Sequence, residues 1–269
     1  MTLGIVSLNA WGGRLHAPLM RYIADADPDI LCLQEVSRTA SAPSEWLVYR
    51  EPGLELPQRA NLLQEVSAAL PDHNAFFFPA ARGDLFDGDR LIASEFGLAT
   101  FVRKSHPVIG QSMDFVHGAF AADGWGEHPR SRNAHGVRIF DYELGFPVTI
   151  VQLHGLRDLA GKGDTPARIE QANKLVELIG RVWRKGERLI VCGDFNVLPD
   201  SVTFEALGRL GLTDLVTSLG YTDTRTSFYR KEGRFADYML VTPDVEIAKF
   251  EVVEEPEVSD HRALHLEMR

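Results

Sequence analysis

The sequence predicts an α/β protein of the α+β kind, built on a mixed or antiparallel sheet core rather than a purely parallel, doubly wound one. Short β-branched apolar runs outnumber helical stretches, and several are joined by connections that suit hairpins. The third observation is size: 269 residues with 45% apolar content can bury a large core. No tract is of low complexity and no repeat recurs at solenoid or propeller periods, so one domain over residues 1–269 is expected.

Leu3 to Leu8 is a β-branched run ending at Asn9-Ala10-Trp11-Gly12-Gly13, where glycines allow a sharp turn. It reads as a strand that delivers Asn9 to a loop. A short helix is expected over Leu19 to Ala26, after which Asp27-Pro28-Asp29 turns the chain into a buried strand from Ile30 to Gln34, with Glu35 at its end. Between Asn61 and Leu70, the residues Leu62, Leu63, Val66, Ala69 and Leu70 recur at helical spacing until Pro71 stops them. Strands are expected at Ala75 to Phe78, Phe96 to Val102, Val137 to Glu143 and Val148 to Leu153, the last delivering His154. The stretch from Gly118 to Gly136 has no usable period and reads as a long functional loop.

Asp164-Thr165-Pro166 is a good start signal for the longest helix, with Ile169, Ala172, Val176, Ile179 and Trp183 tracing one face. Strand Leu189 to Cys192 then ends in Gly193-Asp194-Phe195-Asn196. Further strands are expected near Asp237 to Val241, Val245 to Val252 and Ala263 to Glu267. Cys32 and Cys192 lie inside apolar runs and read as reduced core thiols. No export signal is legible at Met1 to Ile5 and no apolar stretch is long enough to span a bilayer, so a cytoplasmic protein without a membrane partner is expected.

Five separate apolar runs end in a polar residue able to bind a metal, accept a proton or polarise a water: Asn9, Glu35, His154, Asp194 with Asn196, and Asp260 with His261. Each has a plainer reading as a turn residue, a solvated strand end, a core histidine or an Asx turn. Five such coincidences together are much less probable than one, because strand ends on one sheet edge converge and make rigid platforms. Asp, Glu and Asn oxygens suit Mg²⁺ or Mn²⁺ better than zinc, and His117, His128 and His135 lack the paired helical spacing of zinc hydrolases and read as loop residues. No serine-nucleophile elbow, phosphate-binding glycine loop with Lys-Ser or Lys-Thr, or exposed cysteine nucleophile occurs. Attack by an activated water is the mechanism left.

The motifs Ser7-Leu8-Asn9, Leu33-Gln34-Glu35-Val36, Val151-Gln152-Leu153-His154, Cys192-Gly193-Asp194-Phe195-Asn196, Phe235-Ala236-Asp237-Tyr238 and Ser259-Asp260-His261 occur in that order. With these spacings the chain resembles the endonuclease/exonuclease/phosphatase superfamily over nearly its whole length. Ala236 departs from the commoner pattern, in which a larger aliphatic residue precedes the aspartate. The resemblance implies a four-layer α/β/β/α sandwich, like that of DNase I, with the site at one edge. It also implies that Glu35 is the principal ligand of a Mg²⁺ or Mn²⁺ ion, with Asn9 and Asp260 nearby. Asp194 and Asn196 would orient and help deprotonate the water, Asp237 would hold His261 and favour its imidazolium form, and His154 would stabilise charge on the phosphate. Either Asp194 or His261 could be the base.

A net charge of −10 disfavours long duplex DNA as a substrate. Local basic groups exist: Arg130, Arg132 and Arg138 around the long loop, and Arg225, Arg230, Lys231 and Arg234 around Thr226-Ser227-Phe228-Tyr229. Arg132, Arg225, Phe228 and Tyr229 are the candidate substrate contacts. The expected activity is metal-dependent hydrolysis of a phosphate ester, foremost a phosphodiester in a short nucleic acid or small molecule. A monoesterase of a phosphorylated metabolite is the alternative, and a silent binding module ranks below both. No obligate protein partner is expected.

Overall fold

The computed structural model describes residues 2–269. In chain order the strands are β1 (Leu3–Asn9), β2 (Ile30–Arg38), β3 (Trp46–Glu51), β4 (Leu54–Arg59), β5 (His73–Asp87), β6 (Arg90–Arg103), β7 (Val108–His117), β8 (Arg132–Asp141), β9 (Phe146–His154), β10 (Arg188–Asp194), β11 (Thr213–Asp214), β12 (Asp237–Val241), β13 (Ile247–Val252) and β14 (Leu264–Met268). The helices are α1 (His16–Ala26), α2 (Leu62–Ala69), α3 (Pro166–Val182), α4 (Val202–Gly208) and α5 (Leu215–Ser218). The strands form two mixed sheets. The first runs β13-β14-β1-β2-β6-β5-β3-β4 and the second runs β11-β12-β10-β9-β8-β7.

Each sheet has one parallel pair at its heart, β1 with β2 and β9 with β10, and every other pairing is antiparallel. A parallel pair needs a crossover, which α1 and α3 supply. The consequence is that Asn9 aligns with Gln34 at one parallel end, while Asp194 aligns with both His154 and Asp237 at the other. Both crossovers therefore bring site residues to strand ends.

Alternation along the strands builds the layers. Ile5, Ile30, Cys32 and Val102 join Val137, Ile150, Val191 and Met239 in the core between the sheets, and both cysteines are free thiols there. The intervening residues Val6, Leu8, Leu31, Leu33 and Phe101 pack instead against Leu19, Ile23, Leu62 and Val66 of α1 and α2. Burying each such side chain contributes roughly 1.5–3 kcal/mol. On the far side, Leu175, Leu178, Ile179 and Val182 of α3 join the main core, giving four layers. A polar row crosses the core as well. Gln34 donates to Gln152 Oε1 at 2.9 Å, Gln152 donates to Thr100 Oγ1 at 2.7 Å, and Thr100 lies 2.8 Å from His135 Nδ1.

Several expectations need correction. The buried face of α3 is Arg168, Gln171, Ala172, Leu175, Leu178, Ile179 and Val182, whereas Ile169 is 47% exposed and Trp183 lies past the last turn. The stripe is rotated because two polar residues are buried to satisfy backbone groups of the site loops. The irregular loop is shorter than expected, since β8 begins at Arg132, and His135 is a buried strand residue. Strands β3, β4, β7 and β11 and helices α4 and α5 were not foreseen, and β5 and β6 form one long hairpin rather than two short strands.

Candidate active site

The site is assembled at the strand ends. Asn9 closes β1 fully buried; its Nδ2 donates to Asp194 Oδ2 at 3.0 Å and its Oδ1 accepts from the Trp11 amide at 3.0 Å. Glu35 sits where the register of β2 on β6 slips between Leu33 and Val36, and its φ of 58° is left-handed. This irregularity breaks the alternation and aims the carboxylate into the cleft, leaving it 27% exposed. His154 Nε2 lies 3.8 Å from Glu35 Oε1 and 3.7 Å from Asp194 Oδ2, so it stands between the two carboxylates.

Asp194 is held at both oxygens, because Oδ1 accepts from the Asn196 amide at 3.0 Å. Asn196 has a φ of 55°, and its Nδ2 donates to Gly155 O at 3.3 Å. The two strand ends approach so closely that glycine is required beside them. At Gly193, with φ 132°, a Cβ would lie 2.2 Å from Leu153 O. Arg168, fully buried, donates from α3 to the carbonyls of Leu156, Gly161, Gly163 and Asn196, and Gln171 Oε1 accepts from the Leu156 amide at 2.7 Å. These two residues tie the loops after His154 and Asp194 to the helix.

Asp237 and His261 form a buried dyad, with Nδ1 at 2.9 and 2.8 Å from the two carboxylate oxygens. Burial, reinforced by the Arg225 guanidinium, pushes His261 down to about 4, and burial pushes Asp237 up to about 7. The ring is thereby disfavoured as the imidazolium that the resemblance implies. Its Nδ1–H faces Asp237 and its Nε2 accepts from Arg225 Nη1. Arg225 also donates to Asp260 Oδ2 at 3.1 Å and stacks 4.3 Å above the Tyr229 ring. Asp260 Oδ1 is buried with no hydrogen-bond partner.

Phe228 pairs with Trp11 at 6.0 Å between ring centroids and is 43% exposed, so it stands at the rim. Arg132 lies on the opposite wall, where its Nε donates to Gly155 O at 2.9 Å. Burial pushes it down to about 10, opposed by Glu35 and Asp194. Arg138 and Arg234 are committed to ion pairs with Glu187 and Asp223. Sequence reasoning passed over Arg168, Gln171 and Lys162. Lys162 Nζ donates to the carbonyls of Gly233 and Phe235, and burial together with Arg225 lowers it to about 8. A signal for Lys162 existed in its closeness to His154 in the chain.

The donor set fits a hard divalent cation at Glu35. Burial and repulsion from Asp260 and Asp194 push the Glu35 carboxyl up to about 7, only partly offset by Asn9 and Arg132. The orphaned Asp260 Oδ1 is a second oxygen lacking a positive partner. A cation relieves both, and all of these donors are oxygens. Asp194, Asp237 and His261 also bring ligand atoms within 4.8 Å of one another. A metal there would have to displace the Asp237–His261 hydrogen bonds, so the oxygen set around Glu35 is the better centre.

Comparison with known proteins gives the family and the fold. The model of the Endonuclease/Exonuclease/phosphatase family matches residues 6–261. Among solved structures, a family protein from Bacteroides thetaiotaomicron superposes with a TM-score of 0.68 at 19% identity, covering 100% of this chain and 97% of that one. A mannosyl-6-phosphatase of the same organism gives 0.68 at 19% identity, covering 99% of each. TDP2 of D. rerio, complexed with single-strand DNA product, gives 0.65 at 17% identity, covering 100% of this chain and 99% of that one. The comparison with curated proteins returned no match. These structural likenesses speak to the fold. The family match runs from β1 to His261, and the chain belongs to the Endonuclease/Exonuclease/phosphatase family, whose members are divalent-metal-dependent phosphoesterase hydrolases.

Proposed function

We propose that this protein hydrolyses the phosphate ester of a compact organic molecule by attack of an activated water, with Mg²⁺ or Mn²⁺ held by Glu35, Asp260 and Asn9. The observation that carries the reading is the shared volume at the strand ends, where Asp194 Oδ2 lies 3.7 Å from His154 Nε2 and 3.8 Å from His261 Nε2. When bound, the cation supplies Lewis-acid polarisation of the phosphate oxygens. Asp194 takes the water's proton, since it is pinned by Asn9 and Asn196 while His261 Nε2 is already engaged by Arg225. His154, held well below its ordinary pKa by burial and then by Arg132, is neutral and donates to a phosphate oxygen. Asp237 and Arg225 fix the His261 ring, and Arg225 supplies a second cationic fork for the phosphate.

The compact substrate is argued from the cleft beside Glu35 and His154, about 210 Å³ in volume and walled by the β3–β4 hairpin and the loop before β8. Pockets for drug-sized ligands run to roughly 300–1,000 Å³. A short single-stranded nucleic acid is the second reading, favoured by the Trp11–Phe228 pair with Arg14 4.1 Å over the Trp11 ring. A cytoplasmic location belongs to the same proposal and is tested by cell fractionation. The reaction is tested with bis-(p-nitrophenyl) phosphate beside p-nitrophenyl phosphate, each with Mg²⁺, Mn²⁺ or EDTA. Metal-dependent cleavage of either supports the proposal, and the faster one assigns diester or monoester preference. Cleavage that persists in EDTA contradicts it.

A further inference from the structure

The cleft next to the strand-end residues has an unusual wall. The loop over residues 118–131 is pinned along β5, where the Arg82 amide donates to Ala121 O at 2.7 Å and Gly124 donates to Arg82 O at 3.0 Å. Trp125 is locked within that loop. Its Nε1 donates to Asp84 O at 3.1 Å, and its ring lies so close to Gly83 that a Cβ there would fall 2.5 Å from it. Tyr49 of β3 meets the indole edge-on at 6.0 Å. Tyr49 is buried beneath Trp125 and Arg130, and Trp125 and Leu54 give the cleft its apolar lining.

The same cleft is cationic. Arg130, Arg132 and Arg157 all line the cleft. Arg130 is neutralised by Glu51. Arg132 and Arg157 have no carboxylate within 4.0 Å among the described residues, and Arg157 is exposed. The nearest acid in the cleft beyond Glu51 is Glu35, which the metal site claims. Two guanidiniums on separate segments of one cleft are in excess of what one scissile phosphate beside a metal needs. A phosphate offers three oxygens to two planar forks, whereas a carboxylate is saturated by one.

We propose that this cleft is a second phosphate subsite, so that the substrate is a compact bisphosphate whose body lies against Leu54 and Trp125 while Arg157 and Arg132 hold the phosphate that is not cleaved. The inference rests on the reading that the scissile phosphate lies at Glu35 and His154.

It is tested by calorimetric titration of the full-length protein in EDTA, where no turnover occurs, with adenosine 3′,5′-bisphosphate and with adenosine 5′-monophosphate. Wild type binds the bisphosphate about tenfold or more tightly than the monophosphate, the increment of one well-placed charge-assisted pair. Arg157→Gln, an exposed substitution, removes that difference. Equal binding of the two nucleotides by wild type, or an undiminished preference in Arg157→Gln, overturns the subsite. Because binding is read without metal or catalysis, failure of the hydrolytic reading shows separately, as turnover that ignores EDTA.

Discussion

The strand-end platform and the cleft wall are built by opposite means. Asn9, His154, Asp194 and Asp237 each lie at the end of a strand paired on both sides, so backbone ladders fix them before any side chain chooses a rotamer. The wall comes from a two-strand hairpin at the sheet edge and an irregular loop held by a few hydrogen bonds and one tryptophan. On the proposed reading the chemistry sits on the paired strand ends and substrate choice on a wall whose sequence can change without disturbing them.

The largest effect is expected on the platform. Asp194→Asn keeps the shape and an acceptor for the Asn196 amide but removes the base. Turnover of bis-(p-nitrophenyl) phosphate should fall about 100-fold or more with the circular dichroism spectrum unchanged, while urea unfolding loses only the roughly 1–3 kcal/mol of the buried Asn9 donor left without its acceptor. A loss below about threefold would return the base to His261.

The next effect tests rigidity. Gly193→Ala meets both a left-handed φ and the Leu153 carbonyl, whereas Gly186→Ala has φ 91° but no atom within 4 Å of the new Cβ. The first should lose more than the strain of about 1–3 kcal/mol expected for the backbone conformation alone, and the second no more than that. Equal costs in urea unfolding would mean the strand ends are not tightly apposed. Arg168→Met follows: leaving four loop carbonyls without their buried donor should cost about 1–3 kcal/mol and lower kcat with KM little changed. A change in KM alone would reassign Arg168 to substrate binding.

The smallest effect lies between the sheets, in His135. Burial pushes its pKa down to about 3 from the ordinary 6.5. Above pH 6.5 both folded and unfolded states hold it neutral, so it contributes no pH dependence. As pH falls from 6.5 toward 3 the unfolded chain takes up the proton first, and stability is lost at up to about 1.4 kcal/mol per pH unit. Urea unfolding at pH 7, 6 and 5 should show a shallower decline for His135→Leu, whatever its stability at pH 7. Parallel declines would contradict the neutral buried imidazole.

The platform was legible because it obeys one local rule: a buried apolar run that stops at a polar residue. Asn9, Glu35, His154 and Asp194 follow it, whereas His261 lies in the polar connection between β13 and β14. Asp237 does not, since it begins its strand, and only the resemblance drew it into the site. The wall was illegible for physical reasons. Trp46 to Arg59 carries a turn signal in Pro52-Gly53, but its strands are half exposed and lack a continuous apolar run. In α3 the apolar period pointed one residue away from the true face, because Arg168 and Gln171 are buried for their hydrogen bonds rather than for hydrophobicity. Arg225 is only 4% exposed and joins Asp260 to His261, with the Tyr229 ring against its guanidinium.

On the proposed reading the carboxylate of Glu35 anchors the cation on which hydrolysis depends. Titration of Mn²⁺ into wild type and Glu35→Gln, followed by the electron paramagnetic resonance signal of the free ion, tests it most directly. Wild type should deplete free Mn²⁺ at one site, and Glu35→Gln should lose that binding while keeping its fold by circular dichroism. Undiminished Mn²⁺ binding in Glu35→Gln would contradict the account and move the metal to the Asp194, Asp237 and His261 cluster.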